Sequence, residues 1–369
     1  MKVLHVSTSK TWRGGEQQLA YLMEMAKGKG LNQVLVAVKN SPISKKARAL
    51  GIPCFYGKKR SSISLAFALK IKTICEQEHI DMIHTHDAHG HSFAVWSAQL
   101  FGNTCPIVVS RRVDFPIKQK FLSQLKYNHL QVKKIICVSE AVKCIAEPSI
   151  QRPERLVTIH SGIDVQKFDF KPSNRLRADF ELPDDTWLIG NVSALAPHKD
   201  YFTFLEAACI FMRKHPTAPV KFFIIGDGKL RKQLQLYATK LGIRSHVIFT
   251  GFRSDILTIL KELNTFLITS KTEGLGTTII DAMACNVPVV ATEAGGIPEL
   301  IIHQKTGLLA PVGDAEQLAN YCHHLFEQED LRKQLTENAI RHIAHFTKES
   351  MTDATLKVYR EVHQAERKS

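Results

Sequence analysis

Short apolar runs alternate with longer amphipathic stretches along the whole chain. Runs rich in Val, Ile and Leu, bounded by turn residues, read as buried strands, and apolar positions at 3.6-residue spacing read as helices. In the first half the predicted strands are Lys2–Thr8, Gln33–Val38, Ile52–Tyr56, Met82–Thr85, Pro106–Ser110, Lys134–Ser139 and Leu156–His160. Helices are expected at Gln17–Lys27, Ser64–Glu78 and Ser92–Phe101. The polar stretch Gln166–Asp185, with Pro172 and Pro183, reads as a linker. A second alternation follows, with strands at Trp187–Val192, Val220–Ile225, Val247–Thr250, Thr265–Ser270, Val287–Thr292 and Gly307–Ala310. Its helices fall at Tyr201–Lys214, Leu230–Leu241, Ile256–Leu263 and Thr278–Cys285, then a single stretch Ala315–Phe346 and a last helix, Thr352–Glu366. Strand–helix alternation predicts α/β architecture with parallel, doubly wound sheets. A chain of 369 residues exceeds one ordinary core. The boundaries expected are 1–165, 166–350 and a closing helix, 351–369.

Composition narrows the class. Hydrophobic residues make up 44% and charged residues 23%, as in a water-soluble globular protein. No apolar stretch is long enough for a membrane-spanning helix, and the N-terminus reads as a first strand, not a signal peptide. The eight cysteines (54, 75, 105, 137, 144, 209, 285 and 322) form no Cys-x-x-Cys pair. Reduced thiols and a cytoplasmic setting are expected, without a disulfide frame or zinc site. Charge is lopsided. Residues 1–165 carry 24 Lys/Arg against 11 Asp/Glu, and residues 166–369 carry 25 against 24. The first half is therefore expected to face something anionic. Its densest part, Arg111–Lys134, holds seven basic residues and one acid, interleaved with Phe115, Phe121, Leu122, Leu125 and Leu130. Basic and apolar residues mixed in this way suit an acidic lipid surface, or a layer packed on its own sheet. No RNA-binding aromatic motif or helix-turn-helix signal supports a nucleic-acid partner.

Candidate chemistry concentrates in Thr269–Thr292, which reads strand, glycine loop, helix, strand. Glycines admit close backbone approach, and free N–H groups at a helix start favour an anion. Glu273 precedes the loop, at the carboxyl end of a strand where open α/β sheets bind ligands. Asp281 follows about a turn into the helix. The same local pattern fits a plain strand–helix turn with a capping acid. A second strand–glycine–helix passage is Gly14-Gly15-Glu16, whose spacing is not the GxGxxG dinucleotide fingerprint. Four histidines lie close together, at 84, 86, 89 and 91, without a further partner at ligand spacing, so no metal is expected.

The second half resembles the retaining glycosyltransferases of family 4, which have the GT-B fold of two facing Rossmann-like domains. The resemblance rests on Leu195-Ala-Pro-His-Lys199, Phe222-Phe-Ile-Ile-Gly-Asp-Gly228, Gly251-Phe-Arg253, Glu273-Gly-Leu-Gly276 through Asp281-Ala-Met-Ala284, Gly295-Gly-Ile-Pro-Glu299 and Thr306-Gly-Leu-Leu309. In the first half it rests on Gly14-Gly15-Glu16, His84-Thr-His86 and His160-Ser-Gly-Ile-Asp164. It implies transfer of a sugar from a nucleotide-diphosphate sugar to an acceptor hydroxyl, with a cleft between the domains and no metal or other cofactor. It also implies that the last helix packs back on the first domain.

Site roles follow from the resemblance. Lys199 matches the lysine at the phosphates, and Glu273 the acid at the donor sugar. His86 matches the histidine near that sugar's 6-hydroxyl. The N–H groups of Gly274, Leu275, Gly276 and Thr277, and those of Gly14 and Gly15, would meet the diphosphate. Gly251, Phe252 and Arg253 match the loop beside the base. Asp281 stands where the family has a ribose-binding glutamate. Ala194 stands where the family has a phosphate arginine, and an alanine cannot clasp phosphate oxygens. Arg111 and Arg112 are candidates for that duty or for the acceptor. The expected acceptor is a lipid-linked or phosphorylated glycan of cell-surface assembly (lipopolysaccharide or polysaccharide), met from the cytoplasmic side by an enzyme peripheral on the plasma membrane's inner face. Two other classes stay open on the residues. One is a sugar-nucleotide epimerase or glycogen-type phosphorylase of the same fold, the latter opposed by the lack of a recognisable pyridoxal lysine motif. The other is a non-catalytic protein binding an anionic ligand.

Overall fold

The computed structural model describes residues 1–58, 64–170 and 174–367. The chain forms two compact units: Met1–Gly162 with Thr347–Ser369, and Ile163–Phe346.

In the first unit seven strands make one parallel sheet: β1 (Lys2–Ser7), β2 (Asn32–Ala37), β3 (Cys54–Tyr56), β4 (Met82–Thr85), β5 (Ile107–Arg111), β6 (Val132–Cys137) and β7 (Leu156–Thr158). Their order is β3-β2-β1-β4-β5-β6-β7. Helices cover both faces, so β1, β2 and β4 are almost wholly buried and need no polar alternation. The sheet reverses direction of growth between β1 and β4, and the crevice beyond the strand ends there is where such sheets take ligands. His5 of β1 lies in register with His84 of β4 at this reversal.

The last helix, Lys348–Glu366, belongs to this unit and is longer at its start than its sequence pattern suggests. Thr347 caps it through Ser350 N–H at 3.1 Å. Its Met351, Leu356, Tyr359 and Val362 pack with Tyr21, Leu22 and Ala26 of the helix Gly14–Gly28. Gly162 lies against this helix start. A Cβ there would fall 2.2 Å from the Thr347 carbonyl oxygen. Gln18 holds Gly162 by two hydrogen bonds, of 2.8 and 2.9 Å.

The second unit carries six parallel strands: β8 (Trp187–Val192), β9 (Val220–Ile225), β10 (Val247–Gly251), β11 (Thr265–Ile268), β12 (Val289–Thr292) and β13 (Leu308–Ala310). Their order is β10-β9-β8-β11-β12-β13, with the reversal between β8 and β11. One large core joins Phe204, Phe211 and Phe222 to Leu318, Cys322 and Leu325.

Three expectations change. The supposed linker is partly ordered: a 3-10 turn at Val165–Phe168 and a helix at Arg175–Asp179 flank Pro172, which lies outside the described residues. The reason is Glu262, buried, which accepts from the N–H groups of Arg175 and Leu176 at 2.8 Å each and so supplies a cap absent from the local sequence. The stretch Ala315–Phe346 is two helices, Ala315–Glu327 and Glu329–Ile343, broken at an extended Gln328. Glu329 and Asp330 then sit in a new first turn, where the helix dipole favours them. Finally, Gly14 and Gly15 open the first-unit helix instead of preceding it, with Arg13 N–H donating to Glu16 Oε2 at 3.0 Å.

Candidate active site

In the second unit the site gathers at the β8/β11 reversal. Beyond β8, the segment 193–199 is threaded against the loop after β9. Leu195 N–H donates to the Asp227 carbonyl at 3.1 Å. Gly226 and Gly228 make this fit possible, because a Cβ on them would fall 2.0 and 2.5 Å from the carbonyl oxygens of Ser193 and Leu195. The segment ends in a 3-10 turn, Pro197–Lys199, and Asp200 at φ +46° turns the chain into the helix Tyr201–Lys214. Thr269 Oγ1 donates to the Asp200 carbonyl at 2.9 Å, and Lys271 N–H donates to the His198 carbonyl at 2.8 Å. These bonds tie the Lys199 turn to the strand that leads to Glu273.

Lys199 Nζ forms an ion pair with Glu273 Oε2, which also accepts from Ser270 Oγ at 3.3 Å. Both side chains are about 85% shielded, with 15% and 14% of their surface exposed. A charged pair so shielded interacts more strongly than one on the surface. The turn Gly274–Gly276 then leads into the helix Thr277–Ala284, with Gly276 at φ +89°. A Cβ on Gly276 would stand 3.3 Å from Glu273 Cγ, so the helix start lies beside the carboxylate that holds the ammonium. Leu275 is buried beneath the turn, and Thr277 is half-buried.

Glu273 is also held from behind. Its carbonyl accepts from Gly296 N–H at 2.9 Å. Gly295, at φ +53°, passes so close that a Cβ would fall 2.1 Å from the same oxygen. Asp281 is half-buried on the helix, and burial pushes its carboxyl up to about 7, opposed by the charge of Lys167.

The loop after β10 divides the expected base-side residues. Gly251, at φ +76°, accepts from Gly226 N–H at 2.9 Å, and Arg231 Nη1 lies 2.9 Å from where its Cβ would be. Phe252 is 81% exposed, an aromatic face without cover. Arg253 is committed elsewhere: Asp255 takes its Nε and Nη2 at 2.8 and 2.6 Å, and Asp179 takes Nη1 at 2.7 Å. Two carboxylates thus hold the guanidinium at the end of this loop.

In the first unit the arginine pair splits the same way. Arg111 is buried. It donates to Tyr127 OH at 2.8 Å and to the Phe115 carbonyl, and stacks over both rings. It fastens the segment 115–127. Arg112 points the other way. Its Cδ lies 3.5 Å from the position of a Gly15 Cβ, over the start of the helix Gly14–Gly28. Burial lowers its guanidinium to about 10, with Glu16 acting against the shift. Arg112 Nε meets no partner among the described residues.

His86 ends the passage beyond β4, where its N–H donates to the Val6 carbonyl at 3.0 Å. His84 is a satisfied core residue, bonded to Tyr359 OH and, at 2.8 Å, to Ser110 Oγ. Burial lowers the basicity of His5, His84 and His86, and the Arg112 charge lowers the last two further. One ring nitrogen from each of the three lies within 4.8 Å of the others.

Comparison with known proteins fits this geometry. The model of Glycosyltransferase Family 4 matches residues 12–167, and that of Glycosyl transferases group 1 matches residues 172–342. The chain belongs to the family 4 glycosyltransferases. It is similar to N-acetyl-alpha-D-glucosaminyl L-malate synthase of Bacillus anthracis, with 26% identity over 74% of this chain and 73% of that protein. It is also similar to the UDP-Gal:alpha-D-GlcNAc-diphosphoundecaprenol alpha-1,3-galactosyltransferase of Escherichia coli, with 22% identity over 87% and 86%. Among solved structures, Anabaena HepE in complex with UDP-glucose superposes with a TM-score of 0.84 and 22% identity, over 98% of this chain and 100% of that one, and shows the shared GT-B fold.

Several parts of this glycosyltransferase site act through contacts that their motifs do not reveal. Asp200, Thr269 and the glycines 226, 228, 295 and 296 act by backbone contacts made across the sheet. His5 and Gln33 reach His86 only through the β1–β2 and β1–β4 pairings. The substituted position, Ala194, is exposed and offers nothing to a phosphate.

Proposed function

We propose that this glycosyltransferase moves a sugar, with retention, from a nucleoside diphosphate sugar to a hydroxyl of a lipid-linked or cell-surface glycan in lipopolysaccharide or polysaccharide assembly. The observation that carries the donor half is the pairing of Lys199 with Glu273 beside the helix start at Gly276–Thr277. As the bond from the sugar's anomeric carbon to the diphosphate breaks, negative charge builds on the leaving oxygen. An ammonium and helix-start N–H groups fixed in advance stabilise that charge without reorganising. The acceptor oxygen bonds the anomeric carbon on the face the diphosphate leaves, and its proton passes to the departing diphosphate. No divalent ion is assigned a part: Lys199 supplies the positive charge, and the charged group beside the first-unit histidines is Arg112, itself a cation. The HepE complex with UDP-glucose supports a nucleotide-sugar donor.

The test is a thermal-shift panel of UDP, GDP, ADP and dTDP sugars. A ligand at a hundred times its dissociation constant stabilises the native state by about 2.7 kcal/mol, so one nucleotide class should raise the melting temperature by several degrees. No shift with any of them would overturn the donor assignment. Hydrolysis or transfer is then followed with that donor, and an interconverted nucleotide sugar as the product would make the chain an epimerase.

The acceptor half rests on the helix Phe121–Asn128, which buries none of its residues. Phe115, Phe121, Leu122 and Leu130 are 57, 77, 53 and 68% exposed, among the exposed Lys118 and Lys120. A groove of about 180 Å³, lined by Val95, Trp96, Leu122, Leu125 and Lys126, adjoins them. No helix among the described residues is long and apolar enough to cross a membrane. Apolar side chains among lysines suit reversible docking on acidic headgroups, and we place the protein on the inner face of the plasma membrane. The chain should sediment with vesicles rich in phosphatidylglycerol and not with neutral ones, and Phe121→Ser with Leu122→Ser should weaken this by about tenfold. Equal binding to both vesicle types counts against the assignment.

A further inference from the structure

A chain of hydrogen bonds in the first unit begins at a main-chain carbonyl and ends at His86. Gln33 Nε2 donates to the Met23 carbonyl at 3.1 Å. A carbonyl only accepts, so the amide nitrogen of Gln33 faces Met23 and its Oε1 faces the other way. Oε1 lies 3.0 Å from His5 Nε2. An amide oxygen also only accepts, so His5 carries its proton on Nε2. His5 is buried and its pKa is lowered to about 4, so at neutral pH its Nδ1 is a bare lone pair. That lone pair lies 3.1 Å from His86 Nε2, which must therefore carry the proton. His86 Nδ1 is left unprotonated, and it is a buried atom that meets no partner among the described residues.

We infer that Gln33 and His5 are positioning residues that lock His86 in one tautomer, so that its Nδ1 accepts a hydrogen bond from a hydroxyl of the bound substrate. The inference rests on the proposed function for the identity of the substrate as a sugar. The groups around the imidazoles agree with it. Arg112 adds positive charge beside His84 and His86 and opposes their protonation. His84 is held by Tyr359 and Ser110, so it does not compete for His86 Nδ1. A substrate that brings a hydroxyl satisfies the orphaned nitrogen. One that brings a carboxylate to the same place sets two acceptors against each other, and buried polar sites reject such mismatches strongly. His86 thus selects by hydrogen-bond polarity as well as by shape.

The test is long-range proton–nitrogen correlation NMR on the full chain, labelled with nitrogen-15 at histidine and recorded near pH 7. His5→Gln and His86→Gln variants assign the signals. The expected spectrum shows a bare Nδ1 and a protonated Nε2 on both His5 and His86. A protonated Nδ1 on His86 in the unsubstituted protein overturns the inference, whatever the variants do. Gln33→Leu removes the acceptor that holds the His5 proton on Nε2, and the His5 and His86 tautomers should then mix. A folded Gln33→Leu protein that keeps the original pattern also overturns it. Failure of every nucleotide to bind would remove the proposed function and leave the tautomer result standing, so the two outcomes are separable.

Discussion

Lys199→Ala is expected to lower the rate of sugar transfer by a hundred- to a thousandfold, the cost of removing one fixed group that stabilises charge in a transition state. The loss should fall mainly on kcat, because the charge that Lys199 meets grows as the diphosphate departs. Two features of the site sharpen the effect. Position 194, five residues earlier, is an alanine and brings no charge, so Lys199 has no neighbouring substitute there. Glu273 would also lose its ion pair and keep Ser270 as its side-chain partner among the described residues, leaving a shielded carboxylate where the proposed anionic donor binds. Lys199→Arg tests position against charge, since a planar guanidinium cannot reproduce a compact ammonium and should restore only part of the rate. Steady-state kinetics with the donor from the thermal-shift panel, alongside circular dichroism to show an intact fold, checks both. An alanine variant within threefold of the parent rate would remove Lys199 from the chemistry.

Gly295→Ala is expected to cost about a hundredfold in kcat and several degrees in melting temperature, although Gly295 bears no functional group. At φ +53° a Cβ costs about 1–2 kcal/mol in backbone strain alone. The larger problem is the Glu273 carbonyl, 2.1 Å from where that Cβ would lie. Main chain cannot rotate aside as a side chain can, so the segment carrying Glu273 must move. A displacement near 1 Å at a catalytic group can cost about a hundredfold in rate. Gly313→Ala supplies the control. Gly313 has φ +84° but nothing within 4 Å of the added carbon, so it carries the strain without the collision. Gly313→Ala should lose stability and keep its rate. Equal rates for the two variants would show that Gly295 acts through strain alone.

What could be read in the sequence follows from where the information lies. The strands were legible because β1, β2 and β4 are buried on both faces, and such strands show as unbroken apolar runs. Lys199 and Glu273 were legible through resemblance, since each sits in a motif with fixed internal spacing. The availability of a side chain was not legible. Arg111 and Arg112 are neighbours, yet strand alternation sends one into Tyr127 and Phe115 and the other over Gly15. The pairing of Arg253 with Asp179, 74 residues away, has no local signal either. The break at Gln328 was hidden for a different reason: apolar spacing continues through it, so no periodicity marks the boundary.

Tyr359 reaches His84 from a helix synthesised after the whole second unit, while the strand carrying His84 is synthesised before it. The first unit is therefore discontinuous in sequence, with the whole of Ile163–Phe346 made between its two parts. On the ribosome the middle of this chain is complete while its beginning still waits for the final helix, the reverse of the usual order in which domains mature from the N-terminus. A premature stop codon that removes only the last twenty or so residues would leave the second unit whole and strip the cover from the first unit's sheet, including the partner of His84.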